Sequence, residues 1–322
     1  MSPRCGLHSD VNVMVDLVTI GWLTVDDIVL QDGTTYMGMP GGGALYSAMG
    51  ARVWSESVGI HGAAGRPHLA ATRNAMARSG IDSTGVSSAR GNGIEFWLLH
   101  ESDVHKQQVP KKTSQPPTEL DEDRGPIPAK YAAARGFHIA PQGPESGLAI
   151  ARALSCGSSV VTMDILSDAI INVAPYRDLS WTAHVDAFLP SEAEIADIWA
   201  PSDPVAWLSD TAKSGRCHMV GKFGSRGVMV AEAWTGRLTE VPAISMNVVD
   251  TTGAGDAFCG GFLAGLALGR DPVLCAAMGA VSASFAVEAR GVPLPMQFMP
   301  PERDERLRRV MVKLNREREV YL

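Results

Sequence analysis

After Ala132 the chain alternates short, unbroken apolar runs with helical patterns: "GFHIA", "GLAIARAL", "SVVTMDI", "VDAFLP", "SEAEIADIWA", "HMVGKF" and "GVMVAEA". An apolar run without polar interruption needs cover on both faces, and helices placed between successive strands provide it. The pattern confines the chain to an α/β fold of three layers with a mostly parallel central sheet. Two helical segments close the sequence. Pro272 to Ala289 is full of small residues, whereas Pro301 to Arg318 is amphipathic and heavily charged, as a solvated face requires.

The first half carries less regular signals. Leu17 to Ile20 read as a buried strand, and Trp22 to Leu30 as a more exposed one carrying Asp26 and Asp27. Pro40 and three glycines then break the chain before a helix of small residues, Ala44 to Ala51. Val53 to Ile60 is a strand candidate, Leu69 to Ser79 a helix closed by Gly80, and Gly93 to His100 a strand rich in β-formers. Segment 106–130, "KQQVPKKTSQPPTELDEDRGPIPAK", combines proline and charge with few apolar residues, so a mobile surface loop is expected there. No internal repeat is visible, and residues 1–322 are expected to form one domain.

Composition excludes several classes. The 322 residues carry a net charge of −7 and a pI near 5.6, which gives no basic field for nucleic acid or an anionic membrane. Cys5, Cys156, Cys217, Cys259 and Cys275 are scattered without a CxxC pair, which argues against a disulfide framework or a zinc site. They read as thiols in a reducing compartment. The first residues lack the apolar core of a signal peptide, and no apolar stretch is long enough to span a bilayer. A cytoplasmic protein is expected.

The chemistry concentrates in "VVDTTGAGDAF", Val248 to Phe258. Gly253, Ala254 and Gly255 have almost no side chain, so a ligand can approach their backbone N–H groups. Ala257 to Leu268 reads as a helix, whose first-turn amides lack partners and whose dipole favours an anion there. Small residues at a helix N-terminus make a cradle suited to phosphate. Asp256 beside that cradle is placed to take a proton from a hydroxyl that attacks phosphorus. The bland alternative is an aspartate capping its helix above a tight turn. Gly260, Gly261, Ala264 and Gly265 fit close helix packing better than ligand contact.

"DTTGAGDAF" resembles the C-terminal signature of the PfkB carbohydrate kinases, the ribokinase-like family, and other pieces agree in order and spacing over most of the chain. Gly21 followed by Asp26 resembles the strand-end acid that holds sugar hydroxyls. "GGGALYSA" resembles the Gly-Gly motif, "LPSEAE" the Pro-Asn-x-x-Glu segment, "KFGSRG" the turn near the nucleotide, and "AVEARG" the loop that closes over the base. The resemblance implies a ribokinase-like fold with a small β lid, from about residues 25–39 and 92–109, and an ATP-dependent kinase with Mg2+ that phosphorylates a hydroxyl of a sugar or sugar derivative. It implies Asp256 as catalytic base over Gly253, Ala254 and Gly255. It places Asp26, Gly41, Gly42 and Tyr46 at the substrate, and Ser191, Gly224, Gly227 and Thr252 at the nucleotide. Glu194 matches the magnesium-associated acid, acting through water. Asp250, Thr252, Ala286, Ala289 and Gly291 match positions around a potassium-type site, and a homodimer formed through the lid is a further implication.

The sequence departs from the family at several points. Tyr46 stands where sugar kinases carry an Asn, Ser191 replaces another Asn, and His61 stands in "VGIHG" where Asp is frequent. Lys222 replaces a common Thr, and Pro295 occupies a position where some members offer a Ser. These changes suggest a non-standard acceptor, and they keep two alternatives open: a nucleoside kinase of the same fold, or a ligand-binding regulatory protein without turnover. "GIHGAAG" superficially resembles a dinucleotide fingerprint, but its spacing is G-x-x-G-x-x-G. "GRCHMVGK" has five residues between its glycines and Phe223 in place of a magnesium-binding Ser or Thr. The eight histidines show no paired ligand spacing, His138 reads as a structural strand-end residue, and Trp97, Trp181, Trp199, Trp207 and Trp234 read as core or interface.

Overall fold

The computed structural model describes residues 14–100, 106–168, 170–244, 246–291 and 300–320, with backbone alone at Lys106 and 315–320. Cys5 and Pro295 lie outside the described residues. In the main sheet, seven strands run parallel: β1 (Leu17–Ile20), β4 (Val58–Ala64), β5 (Ile81–Ser88), β8 (Gly136–Ile139), β9 (Val160–Met163), β10 (Ala187–Phe188) and β11 (His218–Lys222). Two further strands, β12 (Val228–Ala231) and β13 (Leu238–Val241), add antiparallel at one edge. The order is β13-β12-β11-β10-β9-β8-β1-β4-β5.

Both faces of this sheet are buried, as the apolar runs require. Along β10, Ala187 and Phe188 belong to different core clusters, and along β11 Met219 and Val220 do the same. Consecutive side chains of a strand point to opposite faces, so helices must pack on each side. One face meets α1 (Gly43–Arg52), α2 (Leu69–Arg78), α7 (Ala254–Ala267) and α8 (Pro272–Ala286). The other meets α4 (Pro144–Leu154), α5 (Glu192–Ile198) and α6 (Pro204–Lys213). The charged last helix, α9 (Pro300–Val320), sends Val310 and Leu314 into the first of these faces.

Helices α1, α7 and α8 touch backbone to backbone. A Cβ at Gly260 would lie 1.8 Å from the Ser47 carbonyl oxygen, and one at Gly261 2.4 Å from Ser282 Oγ. The small residues of "CGGFLAGLALG" therefore serve packing, which brings the head of α7 close to α1.

The smaller sheet has the order β3-β2-β6-β7, from β2 (Thr24–Val29), β3 (Thr35–Gly41), β6 (Ile94–His100) and β7 (Lys106–Pro110). The β2–β3 pairing slips between Asp26 and Ile28. Such a bulge re-aims side chains, and here both neighbouring acids are buried with separate partners. Thr24 Oγ1 donates to Asp26 Oδ1 (2.9 Å), whereas Asp27 Oδ1 accepts the Gly38 amide (2.6 Å) and its other oxygen pairs with Lys111.

Two sequence expectations are corrected. Segment 106–130 holds β7, α3 (Pro117–Asp123) and a 3-10 turn (Ala129–Tyr131) where a loop was expected. Its charges are used internally: Arg90 pairs with Asp123, and Arg124 bonds Gln142 and Ser146. The strand expected at Val53–Ile60 begins at Val58 and runs to Ala64 as β4, and "IDSTGVSS", given no element from the sequence, is strand β5. Trp234 is exposed, while Trp181, Trp199 and Trp207 pack in the core.

Candidate active site

Helix α7 begins three residues before the expected start, with Gly253 as its N-cap in the left-handed region (φ 72°). A side chain there would be strained, and its Cβ would lie 2.2 Å from the Tyr46 ring. Asp256 thus occupies the first turn. The Ala254 amide turns back to the Thr251 carbonyl at 3.3 Å, so Ala254 contributes least to the expected cradle. The Gly255 amide has no preceding helical turn to bond.

A cavity of about 170 Å³ opens at this helix head. It gathers Asp256, Gly253 and Thr252 from the α7 segment, Gly42, Gly43 and Tyr46 from α1 and its approach, and Asp26 from β2. Residues more than 200 positions apart therefore share one space. Gly41 abuts Asp26 and Gly43 abuts Asp256: a Cβ at Gly41 would lie 2.1 Å from Asp26 Oδ2, and one at Gly43 2.9 Å from Asp256 Oδ1. Tyr46 is 4% exposed. Burial, and then the charges of Asp26, Asp250 and Asp256, raise its phenol above the ordinary range, so it stays protonated.

The rest of the cavity wall was not legible in the sequence. Trp22, Phe96, Leu98, Pro141 and Leu166 supply apolar surface, and Gln108 and Thr24 supply polar groups. Trp22 donates its indole N–H to Asp121 on α3 (2.9 Å).

Behind the helix head lies a buried charged cluster. Lys222 pairs with Asp164, sits 3.7 Å from Cys259 Sγ, and would be 3.7 Å from a Cβ at Gly255. Burial opposes its charge, but Asp164, Cys259 and Glu194 outweigh it and hold the ammonium protonated. Glu194 and Ser191 form a capping box on α5: Ser191 N–H donates to Glu194 Oε2 (2.6 Å), and Glu194 N–H to Ser191 Oγ (3.3 Å). Burial, then the Asp164 charge, push the Glu194 carboxyl up to about 7, against the pull of Lys222. Sequence reasoning singled out Lys222 only as a departure and missed Asp164, because their meeting depends on the sheet.

Asp250 is buried, and one of its oxygens accepts from Thr252 N (2.9 Å) and Oγ1 (2.6 Å), while Oδ2 has no partner among the described residues. The Val249 and Asp250 amides reach the Val287 carbonyl at 2.7 and 3.2 Å, which ties this loop to the 286–291 segment. Arg290 in that segment donates to the Tyr36 hydroxyl on β3 (2.9 Å), and a Cβ at Gly291 would meet Met39 at 2.7 Å. Gly224, exposed, and Gly227, buried, have positive φ in the turn after β11, and neither lines the cavity. His61 is buried in β4 with Nδ1 3.2 Å from the Gly85 carbonyl, away from the cavity; burial and then Arg124 lower it to about 4.

Residues 11–298 match the model of the pfkB family carbohydrate kinases. The chain belongs to that family. A cytidine kinase from Thermococcus kodakarensis is 31% identical over 276 residues, which is 83% of this chain and 94% of the relative. Among solved structures, aminoimidazole riboside kinase from Salmonella enterica superposes with a TM-score of 0.71 at 20% identity, over 91% of this chain and 100% of that one. A putative ribokinase II from E. coli, in complex with ATP and Mg2+, gives 0.69 at 18% identity, over 92% and 100%. These likenesses establish the ribokinase-like fold, with the smaller sheet as its lid. PfkB kinases are phosphotransferases acting on hydroxyl groups of sugars and nucleosides, and this chain is a kinase of that class. Among the described residues no helix is long and apolar enough to cross a membrane.

Proposed function

We propose that this pfkB kinase moves the γ-phosphoryl group of ATP to a hydroxyl of a sugar or nucleoside bound between Asp26 and Asp256. The meeting of these two acids with Gly253 in one cavity carries the reading. Asp26 accepts hydrogen bonds from acceptor hydroxyls and fixes which one faces the phosphate. Asp256 takes the proton of that hydroxyl as its oxygen bonds to phosphorus, while the bond to the ADP oxygen breaks. The amides at the α7 head, aided by the helix dipole, stabilise charge on the moving group. Gly42 and Tyr46 line the acceptor cavity, and the missing side chain of Gly41 leaves room for the Asp26 carboxylate. A lid over the acceptor excludes water, which competes for the phosphoryl group.

Nucleotide and ions follow the same logic. Gly224 and Gly227 in the turn after β11, with Thr252 and Ser191, are the proposed nucleotide contacts. Magnesium is held through one or two carboxylates together with phosphates, and the buried acids Glu194 and Asp164 near the helix head suit that role. There the ion would neutralise charge on the phosphates. Ser191 and Glu194 already cap α5, so any contact from Glu194 would use its other oxygen or a water. The unpartnered Asp250 Oδ2 fits a monovalent cation, with Ala286, Ala289 and Gly291 offering backbone carbonyls.

Asp256→Asn tests the assignment. ATP consumption dependent on acceptor should fall steeply while ATP affinity and melting temperature stay near those of the parent chain. Unchanged turnover would remove Asp256 from the mechanism. A ligand-binding protein without turnover would instead show acceptor binding and no ATP consumption in either form.

A further inference from the structure

The kinase reading leaves the acceptor open between sugars and nucleosides; the cavity wall bears on that choice. Among the described residues lining it, the charged ones are Asp26 and Asp256, both acids. A sugar acid or sugar phosphate would bring a third negative charge beside them, which like charges disfavour. That lining favours a neutral acceptor.

Among neutral acceptors, the wall distinguishes a bare sugar from a nucleoside. A sugar carries hydroxyls on every side, and each one buried without a partner is costly. Here Thr24 already spends its hydroxyl on Asp26 and Thr252 spends its own on Asp250, which leaves Asp26, Asp256, Tyr46 and Gln108 as the polar side chains of the lining. The other side chains are those of Trp22, Phe96, Leu98, Pro141 and Leu166. Trp22, Phe96 and Leu98 belong to a packed cluster with Ile28, Ile94 and Leu120, so this wall is built in advance of any ligand. A planar base matches such a surface, because its faces need no hydrogen bonds and stack well on aromatic rings. Gln108, projecting from β7 of the lid, adds one amide able to meet polar edge atoms.

The indole of Trp22 is held from outside the cavity. Its N–H is bonded to Asp121 Oδ1, and Asp121 Oδ2 accepts the Gly143 amide at 3.2 Å. Arg124 approaches Asp121 at 3.6 Å and is itself bonded to Gln142 and Ser146. Helix α3 thereby fixes the orientation of a ring that faces the acceptor.

We infer that the acceptor is a nucleoside, its ribose at Asp26 and its base against the wall of Trp22, Phe96 and Leu166, with Asp121 as the positioning residue for the indole. This inference rests on the kinase reading above but can fail separately from it.

The experiment measures ATP- and magnesium-dependent phosphorylation of cytidine, uridine, adenosine, inosine, ribose, deoxyribose, fructose and 2-dehydro-3-deoxygluconate. One nucleoside is expected to exceed every free sugar and the sugar acid in kcat/KM by 100-fold or more. Trp22→Phe and Asp121→Leu should each raise the KM of that nucleoside about tenfold, with far smaller changes in kcat and in the KM for ATP. Asp121→Asn, which keeps an acceptor oxygen for the indole, should recover most of the loss. A free sugar or the sugar acid as best acceptor overturns the inference and leaves the kinase reading standing. Equal changes in both KM values for Asp121→Leu, without recovery in Asp121→Asn, overturn the positioning role. Absence of turnover with all eight compounds overturns the inference and the kinase reading together.

Discussion

The floor and the wall of the cavity are built in opposite ways. The floor comes from two short segments, Gly41–Tyr46 and Thr252–Asp256, brought together because Gly50 and Gly260 let α1 and α7 meet at backbone distance. The wall comes from Phe96 on β6, Gln108 on β7 and the loop residues Trp22 and Leu166, with an anchor at Asp121 on α3. Transition-state charge needs fixed backbone dipoles, which a contiguous motif supplies. Recognition of an acceptor needs only suitable side chains at the right places, so separate segments can supply it. Acceptor choice can therefore change in this architecture without disturbing the phosphoryl site.

That contrast can be broken by experiment, beginning with the largest effect. Asp256→Asn should lower kcat by about 10² to 10⁴ and leave acceptor affinity almost intact. A loss expressed mainly in acceptor KM would merge floor and wall into one unit. Next, Lys111→Met strands Asp27, which is buried and pairs with it under the lid. Removing one partner of a buried pair costs about 3–5 kcal/mol, readable by denaturant unfolding. If stability is unchanged, the lid carries little of the fold.

Gly260→Ala tests the floor itself. The added methyl meets the Ser47 carbonyl, and overpacking of this kind costs about 1–3 kcal/mol. The α7 head should shift with it, so kcat should fall while the nucleoside preference of the wall persists. The smallest effect concerns pH. Burial raises the Asp121 carboxyl from 3.8 to about 6, against Arg124 and the Trp22 and Gly143 bonds. The folded state thus favours the protonated form: this group's contribution to stability is full below about pH 4 and lost as pH rises through 6. Asp121→Asn lacks that loss, so its unfolding free energy relative to the parent should improve by about 2 kcal/mol between pH 4 and 7. A constant difference across that range would mean that Asp121 ionises normally.

Much of the floor was legible because its logic is local. Glycines beside an aspartate at a helix start have few physical uses, and Asp26, Gly42, Tyr46, Thr252, Gly253 and Asp256 do meet in one cavity. Ser191 and Glu194 were legible as a pair, although the local reason for them is a capping box. Segment 106–130 was misread because its prolines and charges resemble a solvated loop, whereas its acids and arginines satisfy one another and the neighbouring Gln115, Gln142 and Ser146. Strand β5 was missed since "IDSTGVSS" lacks a long apolar run; backbone pairing with β4 holds it.

The sequence alone determined the parallel sheet between helices and the aspartate at the glycine-rich helix start, because periodicity and steric smallness act over a few residues. Tertiary structure alone decided that Lys222 lies beside Gly255, that Asp250 Oδ2 has no partner among the described residues, and that an indole pinned by α3 lines the cavity. Those facts depend on strand order and helix contact between distant segments, which no local pattern encodes.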